Sequence, residues 1–415
     1  MQRRWGRVAA CAGLLVILAA TLTPEPSQSR AAEATPLWCL VCGEYGGVDV
    51  LNNILLFMPF ALGLRLAGVS CRTVVITGAV LSLGIETLQL FAIPGRDASL
   101  SDVLTNTLGS WLGAVAGARW RTLLRPRSRR ALQLAWGASA GWLVLQVGTA
   151  VLLRPWIRGG PLHSEWRPDT PGRLPFSGEV TSASVSGMEV APGAVDSAGE
   201  LSRRLGRGRI SLRLEIQAGD TATHWSTVYR LTGPHGPVLQ LDALGSHLVF
   251  QPPAGAQFLR LRAPRLLIEN AISPSAAVTL MARERHDTLW GRAGPVPGRE
   301  AIHVLSPSQS WTLLSPFLYA YGREARLVTG CWLALLLGVI GYWWAQALSR
   351  PRGPAAAIVV VCLGLGLVPL IFGYPAVHWS EWLGGLLGLL GGCAVANGGP
   401  YFGKTCDSPF IRESC

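Results

Sequence analysis

Charge is scarce in this sequence, and lysine is almost missing from it. Of 415 residues 14% are charged, and Lys404 is the only lysine, so the formal charge of +12 is carried almost wholly by arginine. With 49% hydrophobic residues and a mean hydropathy of +0.34, the balance excludes an ordinary soluble protein of this size and indicates an integral membrane protein. A basic excess in such a chain marks cytoplasmic flanks, and with no RNA- or DNA-binding motif present, nucleic acid is excluded as a partner. No Ser-His-Asp set, metal-ligand cluster or phosphate-cradling loop appears, so neither a metal nor a cofactor is expected. Of nine cysteines only Cys39 and Cys42 have a spacing that suggests chemistry. With no further ligand nearby for zinc, a structural disulfide between them is expected, with a redox pair as the second reading.

What the sequence has instead is long apolar runs. Arg3, Arg4 and Arg7 precede Val8–Leu22, read as a retained first helix in preference to a signal peptide ending near Ala32-Glu33-Ala34. Further spans are expected at Val48–Leu66, Thr73–Ile93, Leu100–Ala118, Ala131–Leu153, Leu327–Leu348, Pro354–Phe372 and Trp382–Ala396, about eight in all. Six arginines lie between Arg119 and Arg130, and Arg65 and Arg72 flank the preceding inward loop. That asymmetry places both termini in the cytoplasm, counting through eight spans.

The runs are interrupted by polar groups in one place above all, Ile85–Gly113. Glu86 and Gln89 share a helix face near the end of one run, Asp102 and Asn106 share a face at the start of the next, and Arg96 lies in the turn between. Lipid penalises such groups unless they face one another or water, so they are the candidate functional centre, on the outer side by the arginine topology. Asp49-Val50-Leu51-Asn52-Asn53 and Asp102-Val103-Leu104-Thr105-Asn106 repeat the pattern D-V-L-x-N, and Ser380-Glu381-Trp382-Leu383-Gly384 is a weaker third copy that keeps the acid. Such repeats often meet around a shared site. The acids also fit a plainer role, complementing helix dipoles beside a capping Ser99 or Ser101, and Asn53 and Asn106 fit interhelical hydrogen bonding as well as ligand binding.

This ordered set, with DVLNNILLFMPFALG at Asp49–Gly63, Glu86-x-x-Gln89, Arg96, Asp102-x-x-x-Asn106, Gly109 and Gly113, resembles the VanZ-like membrane proteins over roughly Leu22–Gly117. The resemblance implies a bacterial cell-envelope protein of the cytoplasmic membrane, and it marks Asp49, Asn53, Glu86, Gln89, Arg96, Asp102 and Asn106 as family positions. Antibiotic resistance does not carry over from the family's name.

Between the fifth and sixth spans the material changes. Prolines and glycines punctuate alternating runs at Arg209–Gln217, Ser226–Leu231, Val238–Leu241, His247–Phe250, Phe258–Leu261 and Val278–Ala282, which indicates an antiparallel sandwich. Over about Gly178–Glu284 it is similar to the concanavalin A-like, laminin-G-type jelly roll. That resemblance implies contact with carbohydrate, and His224, Trp225 and Tyr229 are the candidate glycan contacts, although Trp225 and Tyr229 fit a packed core better. Asp220 and Asp242 form no dense calcium motif. The expected whole is a polytopic α-helical membrane protein with an inserted all-β jelly-roll sandwich. Its parts are a VanZ-like domain at 1–155, an extracytoplasmic sandwich at 156–321, three more helices at 322–399 and a cytoplasmic tail at 400–415.

Three functions are compatible with this reading. The first is binding of envelope or exopolysaccharide glycan, or of a lipid-linked saccharide precursor, through the sandwich and the polar cluster. The second is an envelope-modifying enzyme using Glu86 or Asp102 as acid or base, which ranks lower because no further catalytic group accompanies them. The third is a transporter or a scaffold among envelope-assembly proteins. Membrane lipids are partners in every case.

Overall fold

The computed structural model describes residues 2–23, 41, 43–93, 98–157, 159–169, 173–207, 209–219, 224–234, 236–285, 287–294, 299–315, 323–348 and 352–397. The chain is a helical membrane protein with a β domain inserted between two of its helices. It divides into two compact units, Met1–Ser139 with Leu336–Ile358 and Leu387–Cys415, and Ala140–Leu335 with Val359–Leu386.

The first helices are α1 (Gln2–Leu22), α2 (Gly46–Ala67), α3 (Cys71–Ala92), α4 (Leu100–Ala118), a short α5 (Trp120–Leu124) and α6 (Ser128–Leu152). Gly68 ends α2 in the left-handed conformation at φ 103°, and the Ser70 hydroxyl caps α3 by accepting the Thr73 N–H at 3.2 Å. Close helix contact rests on small residues. Gly13 of α1 leaves no room for a Cβ against Phe60 of α2, and on α4 Gly109 faces Ile54 and Gly113 faces Met58. Helix α4 therefore lies beside α2 and runs the same way, bringing the two D-V-L-x-N segments almost abreast.

Within the β domain lies α7 (Ala198–Gly206), and after it come α8 (Arg323–Ala347), α9 (Arg352–Val361) and α10 (Val368–Ile371), the last two joined by a π-helical turn at Cys362–Leu367. In that turn Gly364 lies against the Trp142 ring, where a Cβ would collide. The final helix is α11 (Trp379–Asn397). Its glycines meet α8, Gly384 against Gly330 and Gly392 against Gly338, so this pair is also side by side in one direction.

Helices form at all eight expected places, but among the described residues only six are long and apolar enough, by length and composition, to cross a membrane. The expectation of eight spans is corrected at α4 and α11. Asp102, Asn106 and four hydroxyl residues dilute the one, and Glu381 with a run of glycines dilutes the other.

Among the described residues the β domain has twelve strands: β1 (His163–Trp166), β2 (Glu179–Val185), β3 (Met188–Glu189), β4 (Gly193–Ala194), β5 (Arg209–Gln217), β6 (Trp225–Gly233), β7 (Gly236–Leu244), β8 (His247–Gln251), β9 (Leu266–Ile268), β10 (Ala277–Arg285), β11 (Thr288–Ala293) and β12 (Arg299–Val304). They form two six-stranded antiparallel sheets, ordered β4-β1-β6-β7-β8-β9 and β12-β11-β10-β5-β2-β3. The core lies between them, where Leu231, Leu239, Leu241 and Phe250 are buried with Leu212, Leu214, Leu280 and Leu289, and Gly291 packs under Leu266 and Ile268. The expected strand at Phe258–Leu261 is instead a 3-10 helix, Gly255–Leu259, closed by Arg260 in the left-handed conformation. Two prolines just upstream, Pro252 and Pro253, cannot donate to a ladder.

Candidate functional site

Ser99 caps α4, its hydroxyl accepting the Ser101 N–H at 3.1 Å. The Ser99 N–H is itself donated to the Glu86 carboxylate at 2.7 Å, so the buried acid near the end of α3 holds the head of α4. One turn further along α3, the Gln89 amide donates to the Thr21 carbonyl of α1 at 2.9 Å. A carbonyl can only accept, so Gln89 must turn its own oxygen elsewhere, and Oε1 is buried with no partner among the described residues. Asn106 donates to the Ser82 hydroxyl of α3 at 2.9 Å, and its Oδ1 likewise lacks a partner among the described residues.

Asp102 turns the other way from Asn106. The Asn53 side chain of α2 hydrogen-bonds Asp102, and Asp49 stands close enough for the two carboxylates to feel each other's charge. Glu86 and Asp102 are similarly within electrostatic reach. The repeats thus do meet, with Asn53 of one bound to the acid of the other. Exposure falls stepwise from Asp49, which is exposed, through half-buried Asn53 and Asp102 to buried Glu86. The result is a cluster of acceptor oxygens graded from the surface into the bundle. Chemically it suits a group rich in donors, a hydroxyl-bearing or ammonium head. Among the described residues no group of three or more His, Cys, Asp or Glu could hold a metal ion. Arg96, Cys39 and Cys42 lie outside the described residues, as does the 400–415 tail.

A second buried acid stands at the head of α11. Glu381 accepts the Ser306 hydroxyl at 2.9 Å and also hydrogen-bonds the Ser308 side chain, both at the start of the 3-10 helix Pro307–Leu313. That helix is fastened to α8 by Trp311 Nε1 donating to Thr329 and by Trp332 Nε1 donating to Ser310, each at 3.0 Å. His378 is satisfied locally, its Nδ1 lying 2.8 Å from the Ser380 hydroxyl.

The candidate glycan contacts in the sandwich separate. Tyr229 is wholly buried on the inward face of β6, and burial pushes its phenol up to about 12. It has no free ring face to offer. Trp225 is half-buried with the Arg173 guanidinium 5.7 Å from its ring centroid, and only His224 is exposed. On the outward face of the same sheet runs a buried polar row that the sequence did not reveal. Arg173 donates to Asp242 at 2.5 Å and to Thr227 at 3.1 Å, while Gln240 Nε2 donates to Asp242 at 2.8 Å. Asp242 is therefore committed to a cation. Arg173 and Asp242 are far apart along the chain, and no local pattern announces such a pair. The hydroxyls of Ser82 and Ser306 were also missed as partners; Ser82, one turn before Glu86 on α3, was the readable one, whereas Ser306 lies far from Glu381 along the chain.

No curated protein and no solved structure matches the chain. The model of one family, VanZ/LLP1, matches residues 11–121, the stretch that carries α2, α3, α4 and the acceptor cluster, so this part of the chain is similar to that family.

Proposed function

We propose that the chain binds a donor-bearing headgroup of an envelope lipid or lipid-linked saccharide at the acceptor cluster formed by Asp49, Asn53, Asp102 and Glu86. The observation that carries this reading is the surplus of buried acceptors. Gln89 Oε1 and Asn106 Oδ1 have no donor among the described residues, and their residues lie one helical turn from Glu86 and Asp102 in an apolar bundle. Exposure rises from buried Glu86 to exposed Asp49, which suits a head approaching from the membrane surface. Binding is favoured over catalysis because Glu86 is engaged by a backbone N–H.

On this reading the protein sits in the bacterial cytoplasmic membrane with both termini inside, as its arginines favour, a topology that takes α4 and α11 across beside α2 and α8 although they are less apolar than the other six helices. The sandwich, taken as a concanavalin A-like jelly roll, faces outward and contacts envelope glycan. Its two antiparallel sheets support that kinship, and the contact falls to residues other than Tyr229.

The test is native mass spectrometry of lipids retained by the full chain, wild type against Asp102→Asn and Glu86→Gln. Both variants keep a hydrogen-bonding oxygen and preserve the helix cap. Loss of a charge-assisted hydrogen bond should cut retention roughly tenfold or more. Unchanged retention in both would overturn the proposal.

A further inference from the structure

At the other end of the first helices, about 24 Å along α2 from Asp49 and independent of the acceptor cluster, the chain gathers charge of one sign. The segments 1–24, 50–85 and 103–164 contain no aspartate or glutamate. Arg3, Arg65, Arg72, Arg119 and Arg121 all lie at that end, and among the described residues none of them forms an ion pair. Helix dipoles account for only part of this. Arg65 and Arg119 suit the C-terminal ends of α2 and α4, but Arg3 and Arg72 stand in the first turns of α1 and α3, where a cation is disfavoured.

Three of these arginines converge. Arg3 reaches across to the turn after α2, where its Nε would lie 3.4 Å from a Cβ placed on Gly68, and Arg65 Nη1 donates to the Val69 carbonyl of the same turn at 3.1 Å. The Arg65 stem is threaded over α4, where a Cβ on Gly117 would meet its Cβ at 2.7 Å and its Cγ at 2.8 Å. Held there, its Nε is buried with no partner among the described residues. Arg121 of α5 donates to the side chain of Gln2, next to Arg3, at 3.1 Å, and α5 itself is fixed by Trp343 Nε1 of α8 donating to the Leu123 carbonyl at 2.9 Å. Arginines that only set topology need not converge, and guanidinium groups gathered at one turn repel one another unless an anion lies between them. We propose that Arg3, Arg65 and Arg121 form a site for one phosphate group, supplied by the headgroup of an anionic phospholipid. The forked donors of a guanidinium match phosphate oxygens. Trp5 and Val8, exposed on α1 within two turns of Arg3, and exposed Leu124 on α5 put the site at the edge of the bilayer, in the cytoplasmic leaflet by the topology proposed above.

The experiment titrates the detergent-solubilised full chain with an equal mixture of phosphatidylglycerol and phosphatidylcholine and counts bound lipid by native mass spectrometry. Both lipids carry a phosphate, but only the first is a net anion. Phosphatidylglycerol should be retained about tenfold over phosphatidylcholine, and Arg65→Gln should remove that preference. Arg129→Gln, which drops the same charge from an exposed position of α6, should leave it intact. Arg3→Gln gives the same reading should the Arg65 variant not fold. Equal loss in the Arg65 and Arg129 variants would show diffuse attraction in place of a site, and a preference that survives Arg65→Gln would put the lipid elsewhere; either result overturns the proposal. So would a wild type with no preference. Displacement of the lipid by millimolar inorganic phosphate would reassign the site to a free anion and overturn it as a lipid site.

Discussion

Glu284 points inward from β10, between Ile210 of β5 and Leu289 of β11, and neither carboxylate oxygen has a partner among the described residues. Burial pushes its acid up to about 8, well above the usual 4.5. Between those two values the folded chain holds a proton that the unfolded chain has released, so stability declines as pH rises through that window. Glu284→Met removes the penalty. It should raise stability at pH 8 on the order of 4 kcal/mol and change it little at pH 4.5. Thermal unfolding of the sandwich, followed by tryptophan fluorescence at both pH values, checks this. A wild type equally stable at both would refute it. Glu86, Gln89 and Asn106 were legible in the sequence because each interrupts an apolar run. Glu284 was not, because in Ala282-Arg283-Glu284-Arg285 it passes for one more solvent-facing charge. Tyr229 was readable by parity, lying two positions from Leu231 on one strand face.

Among the elements, the pairing of α8 with α11 depends on which glycine faces the neighbour. Gly392 has no room for a Cβ against Gly338, whereas nothing lies within 4 Å of the position a Cβ would take at Gly391. Gly392→Leu should therefore cost about 1–3 kcal/mol and Gly391→Leu almost nothing. Thermal stability of the detergent-solubilised chain distinguishes them, and equal losses would count against the packing described. The long apolar helices were legible, since apolar runs of about span length have few alternatives, whereas the short helices α5 and α7 were not. The neighbours were not, because a glycine-rich face permits close approach without specifying to what. Strand β5 was read correctly at Arg209–Gln217 from strict alternation. Phe258–Leu261 failed the same test in reverse: four residues are too few for alternation to outweigh the prolines before them.

For the whole molecule, the level of the bilayer is marked where α6 ends. Arg154 lies 5.3 Å from the Phe372 ring centroid, and its carbonyl accepts the Gly255 N–H of the sandwich at 2.7 Å. That bond sets Phe258, 47% exposed, and Leu259, 49% exposed, beside Trp156, whose ring centroid is 6.2 Å from that of Phe258. These aromatic and aliphatic groups belong in the headgroup layer. A photoreactive phenylalanine analogue at Phe258 should cross-link to lipid. The same analogue at Ala277, roughly 26 Å along β10 from Arg285, should not. Equal lipid adducts at the two positions, or adducts only to a second copy, would reject that placement. The division into helices and an inserted sandwich was plain from composition alone, but the span count was not. The polar groups that make α4 and α11 interesting are the same groups that lower their apolarity.

The sandwich joins the helical part by more than its covalent ends. Ser306 and Ser308, just past its last strand, grip Glu381 at the head of a helix some seventy residues later in the chain. A pull on the sandwich, for instance from a long polymer it had engaged, would reach α11 directly through side chains shielded from water. Slack in the backbone could not absorb it, so the domain is geared to the helix and does not hang from it as on a tether.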